Sequence, residues 1–427
     1  MSEPTITLFV ETSKGTFLRP IRPATLLPEG IPKGYAAEDA TRYAAAFWGL
    51  PDFVFRPAQR SRGSATREVG DAILVVGDVA ASVQVKARQT VTPNETRERL
   101  WLDQKIHQAA KQAKGTIRNL ISATDATLVN ERGRRVLIKG HEKTWLLVTV
   151  IDHPGIDGYL PAGPAIVLLR RDWEFLFEQL KSTYAVLEYL RRVSAMNPVP
   201  LGDEAVRYYK LAAADAATPP ADVDPRLLQL GNHKSWSAPL LPQAPAGHGD
   251  DRHHMLVRAV LEDIATVRLP DGIQQSDRID LLAAVDATPV AYRADLGEMW
   301  LSSLRKVADS PSSSITWRFR GHIWPDRPYL LFGAASRYNA LVQQAFGGYV
   351  SLRHQQQLEL MPERANMTTV GVLLTPRDDG HRLWDTTVVK VEGDQEIDDD
   401  QKALLQHLWG GMGESVTQPD EEIPNPV

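Results

Sequence analysis

Residues 67–88 read REVGDAILVVGDVAASVQVKAR. Two apolar runs flank Gly77 and Asp78, a dipeptide typical of a two-residue β-hairpin turn. With this turn the numbers of any two facing residues add up to 155, so Asp71 lies opposite Gln84. Facing side chains on neighbouring antiparallel strands point to the same side of a sheet and lie roughly 5 Å apart. The sequence therefore predicts a hairpin that brings an acid and an amide together.

A lysine is expected to join this pair. Strand alternation puts Gln84 and Lys86 on one face, whereas Val83 and Val85 point to the other. Asp71, Gln84 and Lys86 should therefore converge. A carboxylate and an amide oxygen are hard ligands suited to Mg²⁺, and Mn²⁺ is an alternative ion. A neighbouring lysine can orient or deprotonate a water molecule, or hold a phosphate as a point charge.

The segments around the hairpin predict an α/β fold. Residues 34–50 (GYAAEDATRYAAAFWGL) have an Ala-rich helical composition, and residues 94–120 form a long polar helix with Asn94 as its cap. Strands are predicted at DFVFRP before the hairpin and at RRVLIKG, TWLLVTVID and PAIVLLRR after the long helix. AQRSRGSAT is predicted as a polar loop, and DWEFLFEQLKSTYAVLEYLRRV as two helices. This order describes a mixed central sheet flanked by helices.

An acid followed, after twelve residues, by Gln-Val-Lys resembles the PD-(D/E)XK nuclease superfamily. The glutamine variant is similar to the Mrr-like restriction branch of that superfamily. An acid-bearing helix before the hairpin and a polar helix after it belong to the resemblance, which covers about residues 35–195. It implies a restriction-endonuclease-like fold and a metal-dependent nuclease.

The resemblance also implies roles for individual residues. Asp71 and Gln84 would bind Mg²⁺, the carbonyl of Val85 would be a further ligand, and Lys86 would serve the nucleophilic water. Many members add a glutamate from the first helix, and Glu38 stands at the matching position. The sequence departs from commoner members by having glutamine in place of the second acid, which leaves the site one negative charge poorer and lowers its expected metal affinity.

Length and composition predict two domains. A chain of 427 residues exceeds one typical core, residues 212–250 hold six prolines with little hydrophobic period, and later segments alternate between helical and strand-like patterns. A second, C-terminal α/β domain is therefore expected. The predicted divisions are an N-terminal extension (1–34), the nuclease-like domain (35–211), a Pro-rich linker (212–250), an accessory α/β domain of unassigned role (251–410) and an acidic flexible tail (411–427).

The charge distribution favours a nucleic-acid partner despite a net charge of −5. The segment from Arg56 to Arg118 has twelve basic against six acidic residues, whereas the segment from Glu392 to the C-terminus has ten acidic residues and one lysine. The long helix is expected to meet a phosphate backbone next to the metal site, although a plain solvated face is an equal alternative. The residues predicted for this contact are Gln104, Lys105, Gln108, Lys111 and Gln112.

The predicted function is a Mg²⁺-dependent endonuclease that hydrolyses phosphodiester bonds in DNA. The resemblance implies a role in restriction, phage defence or repair. A homodimer would fit, because one such centre cuts one strand, and the C-terminal domain could recognise DNA or a protein partner. Two alternatives stay open: a non-catalytic nucleic-acid- or partner-binding protein on a decayed nuclease fold, and an enzyme directed at RNA.

Other classes lack sequence support. The chain has no cysteine, which excludes disulfides, thiol catalysis and Cys-ligated zinc and favours a reducing compartment. Neither HExxH nor GxSxG occurs, and no phosphate-binding glycine loop is found. The N-terminus lacks a signal-peptide pattern, and the apolar runs are too short for a membrane span. A cytoplasmic protein without a membrane partner is therefore expected.

Overall fold

The structure of the protein is a computed structural model. The structure describes residues 6–12, 15–56, 60–62, 65–67, 72–123, 125–218, 225–226, 233–235, 241, 248–310, 314–324, 327–364, 367–377, 382–394, 402–403, 405–406 and 416–419. The chain divides into two units. The first contains the described residues up to Thr218 and those from Arg268 to Val290, and the second contains His233–Ser235, the residues from His248 to Val267 and those from Ala291 onwards.

The first unit is built on one large sheet with helices packed against it. Its described strands are β1 (Ile6–Thr12), β2 (Gly15–Ile21), β3 (Val54–Arg56), β4 (Arg60–Arg62), β5 (Ala65–Arg67), β6 (Ala72–Val76), β7 (Val79–Ala87), β8 (Ala126–Asn130), β9 (Arg135–Ile138), β10 (Thr144–Asp152) and β11 (Ile166–Leu169). Its described helices are α1 (Lys33–Trp48), α2 (Glu95–Ser122), α3 (Arg170–Leu180), α4 (Thr183–Ser194), α5 (Glu204–Ala217) and, later in the chain, α7 (Gln275–Asp286), with 3-10 turns at Pro51–Phe53 and Gly140–Glu142.

Seven strands form the central sheet in the order β11-β10-β7-β6-β3-β8-β9. Strand β10 is parallel to both of its neighbours, β7 and β11. The other adjacent pairs are antiparallel. The predicted mixed sheet is confirmed. Helix α7 lies in the first unit, and its predicted place in the second domain is wrong. The Asp286 carboxylate of this helix accepts hydrogen bonds from the Ser182 hydroxyl and the Tyr184 amide.

Helices cover both faces of the sheet near the ends of β7 and β10. Ile151 packs with Leu102 and Ile106 of α2 in one apolar cluster. The next residue, Asp152, points the other way, because its carboxylate is 2.9 Å from Lys33 of α1 and 2.8 Å from Arg170 of α3. At these strand ends α2 therefore lies on one face, and the starts of α1 and α3 lie on the other.

The second unit is a separate α/β unit, as predicted. Its described elements are β12 (His233–Ser235), α6 (His248–Thr266), α8 (Val290–Ala308), β13 (Ser314–Ile323), β14 (Tyr329–Ala335), α9 (Ala340–Leu360), a 3-10 turn at Pro362–Arg364, β15 (Thr368–Pro376), β16 (Trp384–Glu392) and β17 (Val416–Pro419). The sheet order is β12-β13-β14-β15-β16, and β17 pairs with β13. Phe319 of β13 stacks on Tyr349 of α9 with ring centroids 4.2 Å apart, so α9 covers that face.

Several short strands differ from the sequence-based expectation. The segment predicted as a polar loop contains the antiparallel ribbon β4–β5, and β8 was not predicted. Part of the segment predicted as a flexible tail forms β17, which pairs with Ser314–Trp317. The predicted linker also holds the end of α5, β12 and the start of α6. Three- to five-residue strands carry little periodic signal, and pairing with a distant strand stabilises them.

No helix in the described ranges is both long enough and apolar enough to cross a bilayer.

Candidate metal centre at the end of the hairpin

The hairpin that carries the predicted site forms with the predicted turn. Gly77 adopts a positive φ of 56°, which suits the tight connection between β6 and β7. Val76 faces Val79, and the register continues to Ala72 facing Val83, so each pair of numbers adds up to 155 as predicted. Asp71 lies outside the described residues, and its place opposite Gln84 stays a prediction.

Gln84 is the buried member of the predicted set. It is 1% exposed, and its amide nitrogen donates to the carbonyl of Val83 at 3.4 Å. Within the described ranges no donor bonds its amide oxygen, Oε1. An amide oxygen has two lone pairs, so this one can still accept a hydrogen bond or bind a metal ion. A metal ion would satisfy this oxygen, so Gln84 fits the role of an oxygen ligand.

Lys86 lies two residues further along β7, on the same face as Gln84. It is partly buried, and its ammonium donates to the carbonyl of Val85 at 3.0 Å. Because carbonyls of a strand lie near the plane of the sheet, the ammonium lies at the edge of the strand rather than far above the face. The Val85 carbonyl, predicted as a ligand, therefore already accepts a hydrogen bond from Lys86, and its part in binding a metal stays a prediction.

Two further buried hydroxyls accompany Gln84, and sequence reasoning missed both. Thr149 of β10 occupies the position in register with Gln84, and Ser82 lies two residues before Gln84 on β7. Both are 0% exposed, and neither hydroxyl has a hydrogen-bond partner within the described ranges. The available signal was a single threonine inside the aliphatic run WLLVTVI, which is too weak to single out.

Glu38 lies on helix α1 and is partly buried. The start of that helix meets the face of the sheet opposite to α2, since Lys33 pairs with Asp152. Gln84 and Lys86 are in register with Thr149 and Ile151, on the α2 side. A metal held by both Glu38 and Gln84 would therefore have to lie at the strand edge where the Lys86 ammonium lies. The part of Glu38 in the site stays a prediction.

A cluster of ion pairs adjoins this edge, and no sequence pattern indicated it. Asp152 accepts from Arg170 and pairs with Lys33, whose ammonium also donates to the Arg88 carbonyl at 2.8 Å. Arg170 bonds Glu174 in addition. Burial raises the pKa of Asp152, but Arg170 and Lys33 more than offset this effect and lower its pKa below the ordinary value. The carboxylate therefore stays charged and ties the end of β10 to α1 and α3.

A second cluster binds the end of β7 to the first turn of α2. Arg88 donates two hydrogen bonds to Glu98, at 2.9 and 2.8 Å, and Thr92 donates to the same carboxylate from its amide and its hydroxyl. The hydrogen bond from Arg88 is the main cause that lowers the pKa of Glu98. With its oxygens so engaged, Glu98 serves to hold these elements together and is not a free metal ligand.

His153 completes this second cluster as a neutral ring. Its Nδ1 accepts from the Gly155 amide at 2.9 Å, so Nε2 carries the proton and donates to Glu98 at 3.1 Å. Burial lowers the pKa of His153, although Glu98 opposes that change. Trp101 stacks on the ring with centroids 5.8 Å apart. Because both ring nitrogens of His153 are engaged in hydrogen bonds, the residue has a structural role, and we assign it no catalytic one.

The predicted nucleic-acid contacts lie on the outer side of α2. Leu102, Ile106 and Ala109 are buried, so the residues between them face away from the sheet. Lys105 donates to Gln108 at 3.3 Å. Gln104, Gln108 and Lys111 are exposed, whereas Lys105 and Gln112 are partly buried. The exposed side chains could reach a phosphate backbone, and that contact stays a prediction. The amide oxygen of Gln112 is buried and has no hydrogen-bond partner in the described ranges.

The residues that the structure describes contain no group of three or more histidine, aspartate or glutamate side chains placed to hold a metal ion. The predicted set does not require such a group, because its one strand acid, Asp71, lies outside the described ranges and two of its ligands are amide and carbonyl oxygens. A cavity of about 560 Å³ beside α1 and α3 is lined by Tyr43, Phe47 and Phe175 among others, and it does not reach Gln84 or Lys86.

Comparison of the chain with protein-family models, with curated proteins and with solved structures gives no match, so the case for this centre rests on its own residues.

Proposed function

We propose that this chain is a Mg²⁺-dependent endonuclease whose centre lies at the end of β7, and that its fold is of the restriction-endonuclease-like type. The observation that carries the proposal is the pair of Gln84 and Lys86 on one strand face. The first is a buried residue whose amide oxygen no described residue bonds, and the second offers an ammonium at the strand edge. The hairpin register, which the sequence predicts correctly up to Ala72 and Val83, supports the placement of Asp71 beside them.

Each residue has a separate part in the proposed reaction. Asp71, Gln84 and the carbonyl of Val85 would hold Mg²⁺ (or Mn²⁺), and Glu38 would supplement them. The bound ion supplies positive charge that lowers the pKa of a water molecule and stabilises the phosphorane-like transition state. Lys86 orients the attacking water or holds the scissile phosphate. Gln84 contributes no charge, so the site depends more strongly on Asp71 than an all-carboxylate site would.

The experiment is a nicking assay on supercoiled plasmid DNA with Mg²⁺, with Mn²⁺ and with a chelator. We expect Asp71→Asn and Lys86→Ala to abolish metal-dependent nicking while their melting temperatures stay close to that of the parent. Asp78→Asn, in the exposed turn, and Lys139→Ala, at the exposed position just after β9, are the matched controls and should retain activity. Retained cleavage in a clean preparation of Asp71→Asn or Lys86→Ala rejects the proposal.

The substrate is proposed to be DNA, contacted through the outer side of α2. Removing the charge of Lys111 should weaken binding and reduce its salt dependence, because each neutralised phosphate releases counterions. Matched DNA and RNA strands in the same assay distinguish a DNA enzyme from an RNA enzyme. Modified and unmodified phage DNAs test a role in restriction or phage defence. Production of linear plasmid together with a dimer in sedimentation would support a homodimer that cuts both strands.

A non-catalytic binding protein is the second candidate. The specific observation in its favour is that the Val85 carbonyl already accepts from Lys86, next to a neutral Gln84 where a carboxylate would bind metal more tightly. Salt-sensitive DNA binding without cleavage in Mg²⁺ or Mn²⁺ would support this candidate over the enzyme. Binding to a protein through the second unit would be a variant of the same function.

A further inference from the structure

The second unit has an open polar cavity of about 400 Å³ between α8 and β13. Three basic side chains, two acids and two serines contribute to its lining. The lining includes Asp295, Glu298, Ser302, Lys306, Arg318 and Arg320. All of them belong to the second unit, so the cavity does not depend on the nuclease centre.

Local structure explains why these side chains converge. On α8, residues 295, 298, 302 and 306 are spaced by three or four positions and share one face of the helix. On β13, Arg318 and Arg320 alternate with Trp317 and Phe319, which pack toward α9. The arginines therefore point to the other side of the sheet, where α8 lies against β14 through Trp300 and Phe332.

A hydrogen bond to Tyr292 holds the Arg320 side chain in position. The buried hydroxyl of Tyr292 is hydrogen-bonded to Arg320 and lies 3.2 Å from Nε2 of His322. Burial raises the pKa of Tyr292 to about 12, although Arg320 acts in the opposite direction, so the hydroxyl stays neutral and can donate to the histidine while it accepts from the arginine. The guanidinium is thereby positioned before any ligand arrives, which reduces the entropy lost on binding.

The other two cations keep their hydrogen-bonding capacity for a ligand. Within the described ranges, neither Arg318 nor Lys306 has an ion pair or a hydrogen bond to an acid. Arg318 is partly buried and Lys306 is exposed. With three basic and two acidic side chains the lining has a formal charge of +1, and an anion bound next to the cations would be favoured. Arginine forks match phosphate geometry, and lysine adds a point charge.

We propose that this cavity binds a phosphorylated ligand that also carries hydroxyl or amino donors, as a nucleotide does. The phosphate would lie among Arg318, Arg320 and Lys306, with the Ser302 hydroxyl as a further donor. Asp295 and Glu298 would accept from sugar hydroxyls or base amino groups. A free mononucleotide and the phosphorylated end of a nucleic-acid strand both offer this chemistry.

The test is calorimetric titration of the full-length chain carrying Lys86→Ala, without divalent ions, so that cleavage cannot consume the probe. The probes are inorganic phosphate, adenosine and guanosine 5′-monophosphates, adenosine without phosphate, and short single-stranded DNA with and without a 5′-phosphate. We expect the phosphorylated probes to bind, with adenosine at least tenfold weaker. Preference for the monophosphates identifies a free nucleotide, whereas preference for the 5′-phosphorylated strand identifies a strand end.

The variants decide whether binding occurs in this cavity. Arg318→Met keeps the apolar stem and should weaken binding tenfold or more, and Lys306→Ala, at an exposed position, provides a second loss of charge should Arg318→Met fold poorly. Arg305→Met removes a neighbouring exposed charge of α8 outside the cavity and should bind as the parent does. The proposal is overturned by the absence of binding to every phosphorylated probe, or by equal effects of Arg318→Met and Arg305→Met. Either result leaves the nuclease proposal untouched, because nicking by the first unit is measured separately.

Discussion

Gln84 and Thr149 occupy matching positions on the adjacent parallel strands β7 and β10, and both side chains are buried. Residues in register on neighbouring parallel strands point to the same side, so the amide and the hydroxyl are neighbours beneath α2. No donor among the described residues bonds the amide oxygen, and the hydroxyl is without a partner. A buried hydroxyl without a partner costs free energy of folding, so a substitution at Thr149 measures what this position contributes.

The first prediction concerns Thr149. Replacing it with valine removes a buried hydroxyl that has no partner among the described residues and keeps the shape of the side chain. We therefore expect Thr149→Val to raise the free energy of unfolding by about 1 kcal/mol. If the hydroxyl positions Gln84, metal-dependent nicking should fall in the same variant. Urea unfolding and the nicking assay measure the two effects. Thr144→Val, at the exposed start of β10, is the control, and a loss of stability in Thr149→Val would contradict the prediction.

The second prediction concerns the charge of the proposed site. Gln84→Glu places a carboxylate at a position that is 1% exposed, and burial of an unpaired charge is costly. We expect this variant to melt below the parent in a chelator and to gain more than the parent when Mg²⁺ is added, since a tenfold tighter site adds about 1.4 kcal/mol at saturation. Thermal melts with and without Mg²⁺ measure the difference. An equal Mg²⁺ response in parent and variant would argue against a metal at Gln84.

The third prediction concerns Asp172, an acid in the first turn of α3. It is 1% exposed, no side chain in the described ranges donates to its carboxylate oxygens, and Nε of Arg171 is 3.8 Å from its Oδ1. Burial raises the pKa of Asp172 from its ordinary value of 3.8 to about 7. The folded protein therefore keeps a proton that the unfolded chain loses between about pH 4 and pH 7, and this group makes stability fall by about 1.4 kcal/mol per pH unit as pH rises through that window.

Asp172→Asn removes that titration. We expect the variant to be about 2–4 kcal/mol more stable than the parent at pH 8, with the advantage shrinking as pH falls toward 4. Denaturant unfolding at several pH values gives the difference between variant and parent, which cancels the contributions of other groups. A difference that does not change with pH would show that Asp172 is charged in the folded protein at neutral pH.

The fourth prediction concerns Asp152. Its removal in Asp152→Ala leaves the buried guanidinium of Arg170 with Glu174 alone, and Lys33 with the Arg88 carbonyl. We expect the free energy of unfolding to fall by about 2 kcal/mol. This is less than for a buried ion that loses every partner, because each cation keeps one partner. Asp157→Ala, at an exposed position, is the control, and unfolding by urea is the measurement. A stability equal to that of the parent would mean that water replaces the carboxylate.

Turn and capping residues in short stretches of the sequence predicted several elements of the fold. The Gly77-Asp78 turn fixes the hairpin register, and Asn94 caps α2 as predicted by accepting from the Arg97 amide at 3.0 Å. The mixed sheet follows from the order of short apolar strands and helices along the chain, and the second α/β unit follows from a similar alternation after the Pro-rich segment. Thr149 could not be found in this way, because its importance depends on which strand lies beside β7. Asp152 likewise gains Lys33 from an element far away in the chain, and Glu98 gains His153, which is 55 residues away.

The pairing of β17 with β13 bears on how the protein should be shortened. Residues 416–419 cover the backbone of Ser314–Trp317 on the side away from β14. Cutting the chain near residue 410 to discard its acidic end would strip that cover and leave hydrogen-bonding groups of β13 open to a strand from another molecule, a recognised route to aggregation. A purification tag should therefore be added after residue 427 and should not replace residues 416–419.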